Sequence, residues 1–362
     1  MSSFNIALIP GDGVGREVTA EAAKILNATA QKHGFGVVTE TFDWSCDYYL
    51  KHGIMMPSDI LTTLKDFDAI FLGCIGDAAK VPDHVSLELL LTIRKGFDQY
   101  VNLRPIRLYP GVETLLKKAT PQSVDLVVVR ENTEGEYSQN GGFFKKGTTD
   151  GFATQTSVFT QKGCERVMRY AFDLARTRQK NGTSAPVGQV TNCTKSNALN
   201  YSMVFWDSVF NNVAKAYPDI ETDAALVDAL TMWFVKNPEH FDVIVASNLF
   251  GDIITDLGAM LQGGMGFAAG GNINPEKTYP SMFEPIHGSA PKYAGKGIVN
   301  PIASLESMRL LLEHLGQIEA AQTIENAVKQ VLAQGAVKTP DMCGKHKTQD
   351  VAEAVKAAIL QN

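Results

Sequence analysis

Between Phe241 and Leu261 an apolar run, Phe241-Asp242-Val243-Ile244-Val245-Ala246, gives way within two residues to a helical period. A buried strand that runs straight into a helix is the repeating unit of α/β folds, and it constrains the architecture more than any other stretch of the chain. In the helix, Phe250, Ile253, Ile254, Leu257 and Leu261 share one face, which the period predicts to be buried. Asp252 and Asp256 lie four residues apart, so they neighbour each other away from that face. Like charges at this spacing repel by about 0.2–0.5 kcal/mol in an isolated helix. A divalent cation between them reverses the sign, and oxygen-only ligands suit Mg2+ or Mn2+ rather than zinc. The alternative is an Asp252 that answers the helix dipole and an Asp256 that faces water.

The same alternation runs along the chain. Strands are expected at residues 4–9, 36–42, 68–73, 100–108, 124–129, 153–159, 187–191 and 220–224, and helices at 16–32, 85–96, 163–177 and 196–217. Three more helical segments, around residues 302–315, 318–333 and 348–360, end the chain. A length of 362 residues allows one large or two ordinary domains, and no linker separates them. Residues 138–151, with Gly141-Gly142 and Lys145-Lys146, read as an exposed loop or arm. The glycines around Gly263-Gly264-Met265-Gly266 and Ala269-Gly270-Gly271-Asn272 require close backbone approaches or positive φ angles. The turn Pro10-Gly11-Asp12-Gly13-Val14-Gly15 joins a strand to a helix, but its glycines alternate and no third glycine follows at the dinucleotide offset. A standard Rossmann site is therefore not expected there.

A net charge of −6 disfavours a nucleic-acid partner. Five scattered cysteines without a CxxC pair suit a reducing compartment and supply neither a disulfide framework nor a zinc site. No signal sequence or membrane-length apolar run is evident, so a soluble cytoplasmic protein is expected.

Three arginines carry chemical information. Arg94 shares a helix face with Leu90 and Leu91, where an arginine is costly unless an anion meets it. That anion is an internal carboxylate or a substrate's. Arg104 sits in a strand, and Arg130 follows Val127-Val128-Val129 at the carboxyl end of another, where open α/β sheets bind ligands. Guanidinium groups hold carboxylates in bidentate geometry, so three beside a metal suit a small dicarboxylic acid. Lys195 is a surface charge or, near arginines and a metal, a general base. Tyr137 is a packing residue or a proton donor.

Together these residues resemble one family, the β-decarboxylating dehydrogenases that act on isocitrate, isopropylmalate, homoisocitrate, D-malate and tartrate. The resemblance is carried by Arg94 and Arg104, Arg130-Glu131-Asn132 with Tyr137, Thr194-Lys195-Ser196-Asn197, Asp228, the Asn248–Asp256 stretch and His287-Gly288-Ser289-Ala290-Pro291, and it spans nearly the whole chain. It implies an isopropylmalate dehydrogenase-like two-domain α/β fold, a large mixed sheet flanked by helices. Residues 1–101 and 257–362 would form a discontinuous cofactor-binding domain. Residues 102–256 would form the substrate and dimerisation domain, with an arm near residues 138–160. Two copies would form a homodimer with shared active sites, each borrowing Lys195 and Asp228 from its partner. Arg94, Arg104 and Arg130 would hold the diacid, and Asp228, Asp252 and Asp256 the metal. Lys195 and Tyr137 would move protons. Glu284, His287, Gly288, Ser289, Ala290, Lys292 and Asn300 would bind the nicotinamide cofactor.

The helix before Arg94 sets side-chain selectivity in this family. Isocitrate enzymes place a serine and an asparagine at the positions held here by Glu88 and Leu90, so the acid disfavours isocitrate. Leu90 and Leu91 match isopropylmalate enzymes, but their glutamate is Leu87 here. The stretches Phe42-Asp43-Trp44-Ser45-Cys46-Asp47-Tyr48-Tyr49, Val81-Pro82-Asp83-His84 and Phe97-Asp98-Gln99-Tyr100 look most like the branch acting on D-malate and tartrate. Some members of that branch also need a monovalent cation, potassium. Lys292-Tyr293 resembles NADP-using members, where a lysine meets the 2′-phosphate, whereas Pro340-Asp341-Met342-Cys343-Gly344 resembles NAD users. The branch favours NAD. A non-catalytic regulatory or ligand-binding subunit is the reading from another class, and it would be expected to lack one of these polar residues.

Overall fold

The structure is a computed structural model that describes residues 2–179 and 187–361. It divides into two compact units, Met1–Gln99 with Arg107–Pro121 and Ala259–Asn362, and Tyr100–Ile106 with Gln122–Gly258. Twelve strands occur among the described residues: β1 Ser3–Gly11, β2 Gly36–Thr41, β3 Ala69–Cys74, β4 Val101–Arg107, β5 Asp125–Glu131, β6 Gly135–Phe144, β7 Phe152–Val158, β8 Gln189–Thr194, β9 Glu221–Leu226, β10 Val243–Ala246, β11 Ala269–Ile273 and β12 Ser281–Pro285.

In the first unit the strand order is β2-β1-β3-β12-β11. β1 pairs in parallel with β2 and β3, and β12 in parallel with β3, while β11 and β12 are antiparallel. The antiparallel pair makes the sheet mixed, unlike the all-parallel Rossmann pattern. Helix Gly15–His33 buries Val18, Ala22, Ile25 and Leu26 and ends on Gly34, whose left-handed conformation costs a glycine little. Helices Ile302–His314, Ile318–Gln334 and Thr348–Gln361 pack with it. The turn Pro10–Gly15 is tight because Gly13, at φ 56°, lies against the Ser289 carbonyl, which accepts from Val14 N–H at 2.8 Å. A Cβ at Gly13 would fall 1.9 Å from that oxygen.

In the second unit the order is β4-β5-β10-β8-β9, with β10 parallel to β5 and β8, and β8 parallel to β9. All seven residues of β5 and all four of β10 are buried, which is why Leu126–Val129 and Val243–Ala246 read as unbroken apolar runs. Helix Gln161–Thr177 buries Val167, Met168 and Phe172, and Phe172 lies 5.4 Å from Phe210 and 4.8 Å from Tyr217 between ring centroids. Each such side chain contributes roughly 1.5–3 kcal/mol by leaving water.

Several expectations need correction. The helix expected at residues 85–96 is two short helices, Asp83–Ser86 and Glu88–Gly96. The long helix expected at 196–217 starts at Ser202. The strand expected from residue 187 starts at Gln189. The arm is an antiparallel ribbon of β6 and β7 with Phe144 stacked on Phe152 at 4.7 Å. In helix Asn248–Leu261 the buried face is turned from the expected one: Ile254, Thr255 and Gly251 are buried, but Ile253 is 54% exposed. Small residues, not only large apolar ones, face the sheet. Helix Val227–Lys236 exposes Met232, Trp233 and Val235 as well. The short strands β11 and β12 and helices Cys46–His52 and Ile60–Leu64 were not anticipated, because their apolar runs are too brief to show a period. No helix among the described residues is long and apolar enough to cross a membrane, and all five cysteines are free.

Candidate active site

The strand-to-helix unit at residues 243–261 delivers the central group of the second unit. Arg130, at the end of β5, has its side chain 2% exposed. Its Nη1 donates to Asp252 Oδ1, and its Nε and Nη2 donate to Asn248 Oδ1 at 3.1 and 2.7 Å. Gly251 lets the arginine stem lie against the helix, since a Cβ there would fall 2.5 Å from Arg130 Cγ. Tyr137, in β6, donates its hydroxyl to Asp252 Oδ2 at 2.8 Å, with its ring 5.3 Å from the Arg130 guanidinium carbon. Arg104, in β4, donates to Asn102 Oδ1 at 2.7 Å and Thr255 Oγ1 at 2.8 Å, and its Nη2 lies 3.6 Å from Asp252. Arg104, Arg130, Tyr137, Asp252 and Asp256 are thus one cluster.

Burial, and then the charge of Asp252, raise the Asp256 carboxyl above its usual range, while Arg104 and Arg130 pull it down. The two carboxyls four residues apart on one helix supply oxygen donors alone, a set that fits a hard divalent metal. No group of three acids, histidines or cysteines placed to hold a metal occurs among the described residues. Asp228 belongs to a second group, where Lys195 Nζ donates to it at 2.7 Å. That hydrogen bond holds the Asp228 carboxyl below the usual range, and its side chain is 66% exposed.

In the first unit Arg94 finds its anion internally: Nη2 donates to Glu284 Oε1 at 2.9 Å, and Asn272 Nδ2 donates to the same oxygen at 2.8 Å. Arg94 Nε is buried with no hydrogen-bond partner. Leu90 packs beside the buried Leu89, Ile93 and Phe97. A cavity of about 450 Å³ is lined by Val14, His287, Ala290, Tyr293, Asn300 and Asp341 among others. Burial holds His287 below its usual pKa, and its Nε2 is buried without a partner. Asn300 donates to Asp341 Oδ2 at 3.0 Å. Ser289 Oγ donates to the Gly76 carbonyl, and the Gly288 carbonyl lies 2.8 Å from His287 Nδ1. Lys292 Nζ lies 4.9 Å from the Tyr293 ring centre. A cavity lined by Tyr293 and by a histidine with an orphaned imidazole nitrogen fits a nucleotide-sized group.

Residues not singled out from the sequence complete the cluster. Asn248, Asn102 and Thr255 hold the arginines, and Glu131 and Glu136 hold the segment that carries Tyr137. Asn248 and Thr255 lay inside the motif already under scrutiny, where a polar side chain beside a buried strand end was the available signal.

The fold is that of the dehydrogenases that decarboxylate hydroxy acids. A family model described as isocitrate/isopropylmalate dehydrogenase matches residues 5–355, and the chain belongs to that family of oxidative decarboxylating enzymes. Among its relatives, the tartrate dehydrogenase/decarboxylase of Pseudomonas putida is 48% identical, over 99% of this chain and 98% of the relative. The D-malate dehydrogenase (decarboxylating) of Escherichia coli strain K12 is 47% identical, with 100% of each covered. The crystal structure of isocitrate dehydrogenase from Methylococcus capsulatus superposes with a TM-score of 0.87 at 36% identity, covering 98% of this chain and 99% of that one. Enzymes of this family are dehydrogenases that use a nicotinamide cofactor and a divalent metal ion.

Proposed function

We propose that the chain oxidises D-malate or tartrate, with decarboxylation of the resulting keto acid, and passes hydride to NAD. Full-length identity of 47–48% to a tartrate and a D-malate enzyme carries this reading. The cluster of Arg104, Arg130, Tyr137 and Asp252 supplies its chemistry.

Arg104 and Arg130 release Asp252 and take the substrate carboxylates. Arg94 contributes through the part of its guanidinium that Glu284 leaves unused. Asp252, Asp256 and a partner copy's Asp228 would hold Mg2+ or Mn2+, which would supply Lewis acidity, and a bound nicotinamide would supply the hydride acceptor. Lys195 takes the hydroxyl proton, and Tyr137 returns a proton to the carbon left by carbon dioxide. Residues 1–101 and 257–362 serve the cofactor through Glu284, His287, Gly288, Ser289, Ala290, Lys292 and Asn300. Residues 102–256 serve the substrate and a homodimer, with the ribbon as a clasp. The exposed Met232, Trp233, Val235 and Ile253 support a second copy as the partner. Potassium is a further cofactor of this reading, and the cytoplasm its compartment.

Isopropylmalate is the second reading, favoured by the half-buried Leu90 and Leu91. A panel of D-malate, tartrate, isopropylmalate and isocitrate with NAD and NADP tests both. D-malate or tartrate should exceed isopropylmalate in kcat/KM by at least about tenfold, the scale of one mismatched apolar contact. Preference for isopropylmalate overturns the first reading. Lys292→Asp should weaken use of NADP selectively, and equal loss with both cofactors removes Lys292 as the discriminator.

A further inference from the structure

We infer that Asn248 is a positioning residue that sets the angle of Arg130 toward a substrate carboxylate. The inference rests on Arg130 as a carboxylate binder, as proposed above. Asn248 is 1% exposed and begins the helix that carries Asp252 and Asp256. Its Oδ1 accepts from Arg130 Nε and Nη2, at 3.1 and 2.7 Å. Its Nδ2 donates to the Glu134 carbonyl at 3.2 Å and faces Glu131 Oε2 at 3.5 Å. Glu131 in turn accepts from Thr133 N–H at 2.8 Å and Glu134 N–H at 2.9 Å, which closes the turn between β5 and β6.

One carboxamide therefore fixes two things at once. Its oxygen occupies one edge of the guanidinium, and its nitrogen locks the turn that leads to Tyr137. With that edge engaged, Nη1 is the part of Arg130 directed at Asp252 and the reacting region. Little solvent reaches a buried guanidinium, so removal of Oδ1 takes away the contact that fixes its Nε–Nη2 edge and leaves the hold of Asp252 on Nη1. Gly251 leaves room for the stem but offers no hydrogen bond to hold it. Supporting groups of this kind typically contribute 10- to 100-fold to the group they orient.

The test compares Asn248→Ala and Asn248→Asp by calorimetric binding of D-malate with Mg2+, by KM and kcat, and by Tm. Asn248→Ala should weaken D-malate binding and raise its KM about 10- to 100-fold. Asn248→Asp retains the acceptor for Arg130 and loses the donor to Glu134, so it should bind D-malate within a few-fold of the parent. If repulsion from Glu131 unfolds that variant, Asn248→Asp combined with Glu131→Gln removes the repulsion and should restore binding. Equal weakening by Ala and Asp, with or without Glu131→Gln, overturns the assignment and leaves Asn248 serving the turn alone. Unchanged binding in Asn248→Ala overturns it too. A parent protein that binds D-malate poorly but another hydroxy diacid well moves the comparison to that diacid. One that binds none overturns the proposed function and this inference with it.

Discussion

The second unit carries two acid–cation groups of opposite character. Around Asp252, two arginines, a tyrosine hydroxyl and Asn248 form a connected and largely buried set. Lys195 and Asp228 form a bare pair, with the aspartate side chain 66% exposed and depressed in pKa by its lysine. The first group holds its geometry within one chain. The second joins a half-buried lysine to an exposed aspartate, and the proposed function gives that pair to a neighbour's site. The contrast lies in connection: Asp252 is tied to Arg130 and Tyr137 from two strands, whereas Asp228 is met by Lys195.

The largest expected effect breaks the first group. Asp252→Asn removes the proposed metal ligand and the partner of Arg130 and Tyr137, and kcat should fall about 10³-fold, some 4 kcal/mol. Steady-state rates across a Mg2+ titration check it, and an unchanged rate with unchanged metal dependence removes Asp252 from the chemistry.

Mixing variants tests whether the second group serves a neighbour. Lys195→Ala and Asp252→Asn should each be nearly inactive alone. If a dimer shares its sites, subunits mixed at random give half heterodimers, each with one intact site, and about a quarter of parental activity returns. If each chain is self-sufficient, mixing restores nothing.

Much of this was legible in the sequence, and the reasons for the rest are physical. β5 and β10 are buried along their whole length, so their apolar runs announce themselves, as does Arg130 near the end of β5. Helical spacing alone puts Asp252 and Asp256 side by side, but it leaves a metal site and a solvent-facing pair equally open. Arg94 was recognisable as a buried cation but not its partner, because Glu284 lies 190 residues away and only folding brings it to 2.9 Å. The orientation of helix Asn248–Leu261 was misjudged for a related reason. Gly251 and Thr255 count little in an apolar period, yet they face inward because Arg130 and Arg104 need the space and the hydroxyl. A period measures hydrophobicity, whereas a site is built from fit and hydrogen bonds.

Gly251→Ala sharpens the account of the first group at a smaller scale. The added Cβ meets Arg130 Cγ at 2.5 Å and Cβ at 2.6 Å, so the buried stem must move. Overpacking of this kind costs roughly 1–3 kcal/mol. A roughly tenfold rise in KM for the diacid, with a lowered Tm, is expected. A lowered Tm with KM unchanged shows that Arg130 recovers its place.

The smallest effects are the most diagnostic, because the two groups shift their carboxyls in opposite directions. The Asp228 pKa lies below its usual value through Lys195, so ionised Asp228 stabilises the fold above the ordinary carboxylate range. That contribution is lost as pH falls through the lowered pKa. The Asp256 pKa lies above its usual value through burial and Asp252, so ionisation opposes folding. Its penalty is absent in acid and complete once pH exceeds the raised pKa. In metal-free protein near neutrality, Asp228→Asn should therefore lower Tm and Asp256→Asn should raise it, with both differences fading in acid. Mg2+ should then raise the Tm of the parent and not that of Asp256→Asn, by preferential binding to the folded state. Thermal melts at several pH values, with and without Mg2+, decide the matter: shifts of the same sign would mean that the two groups do not differ as their burial implies.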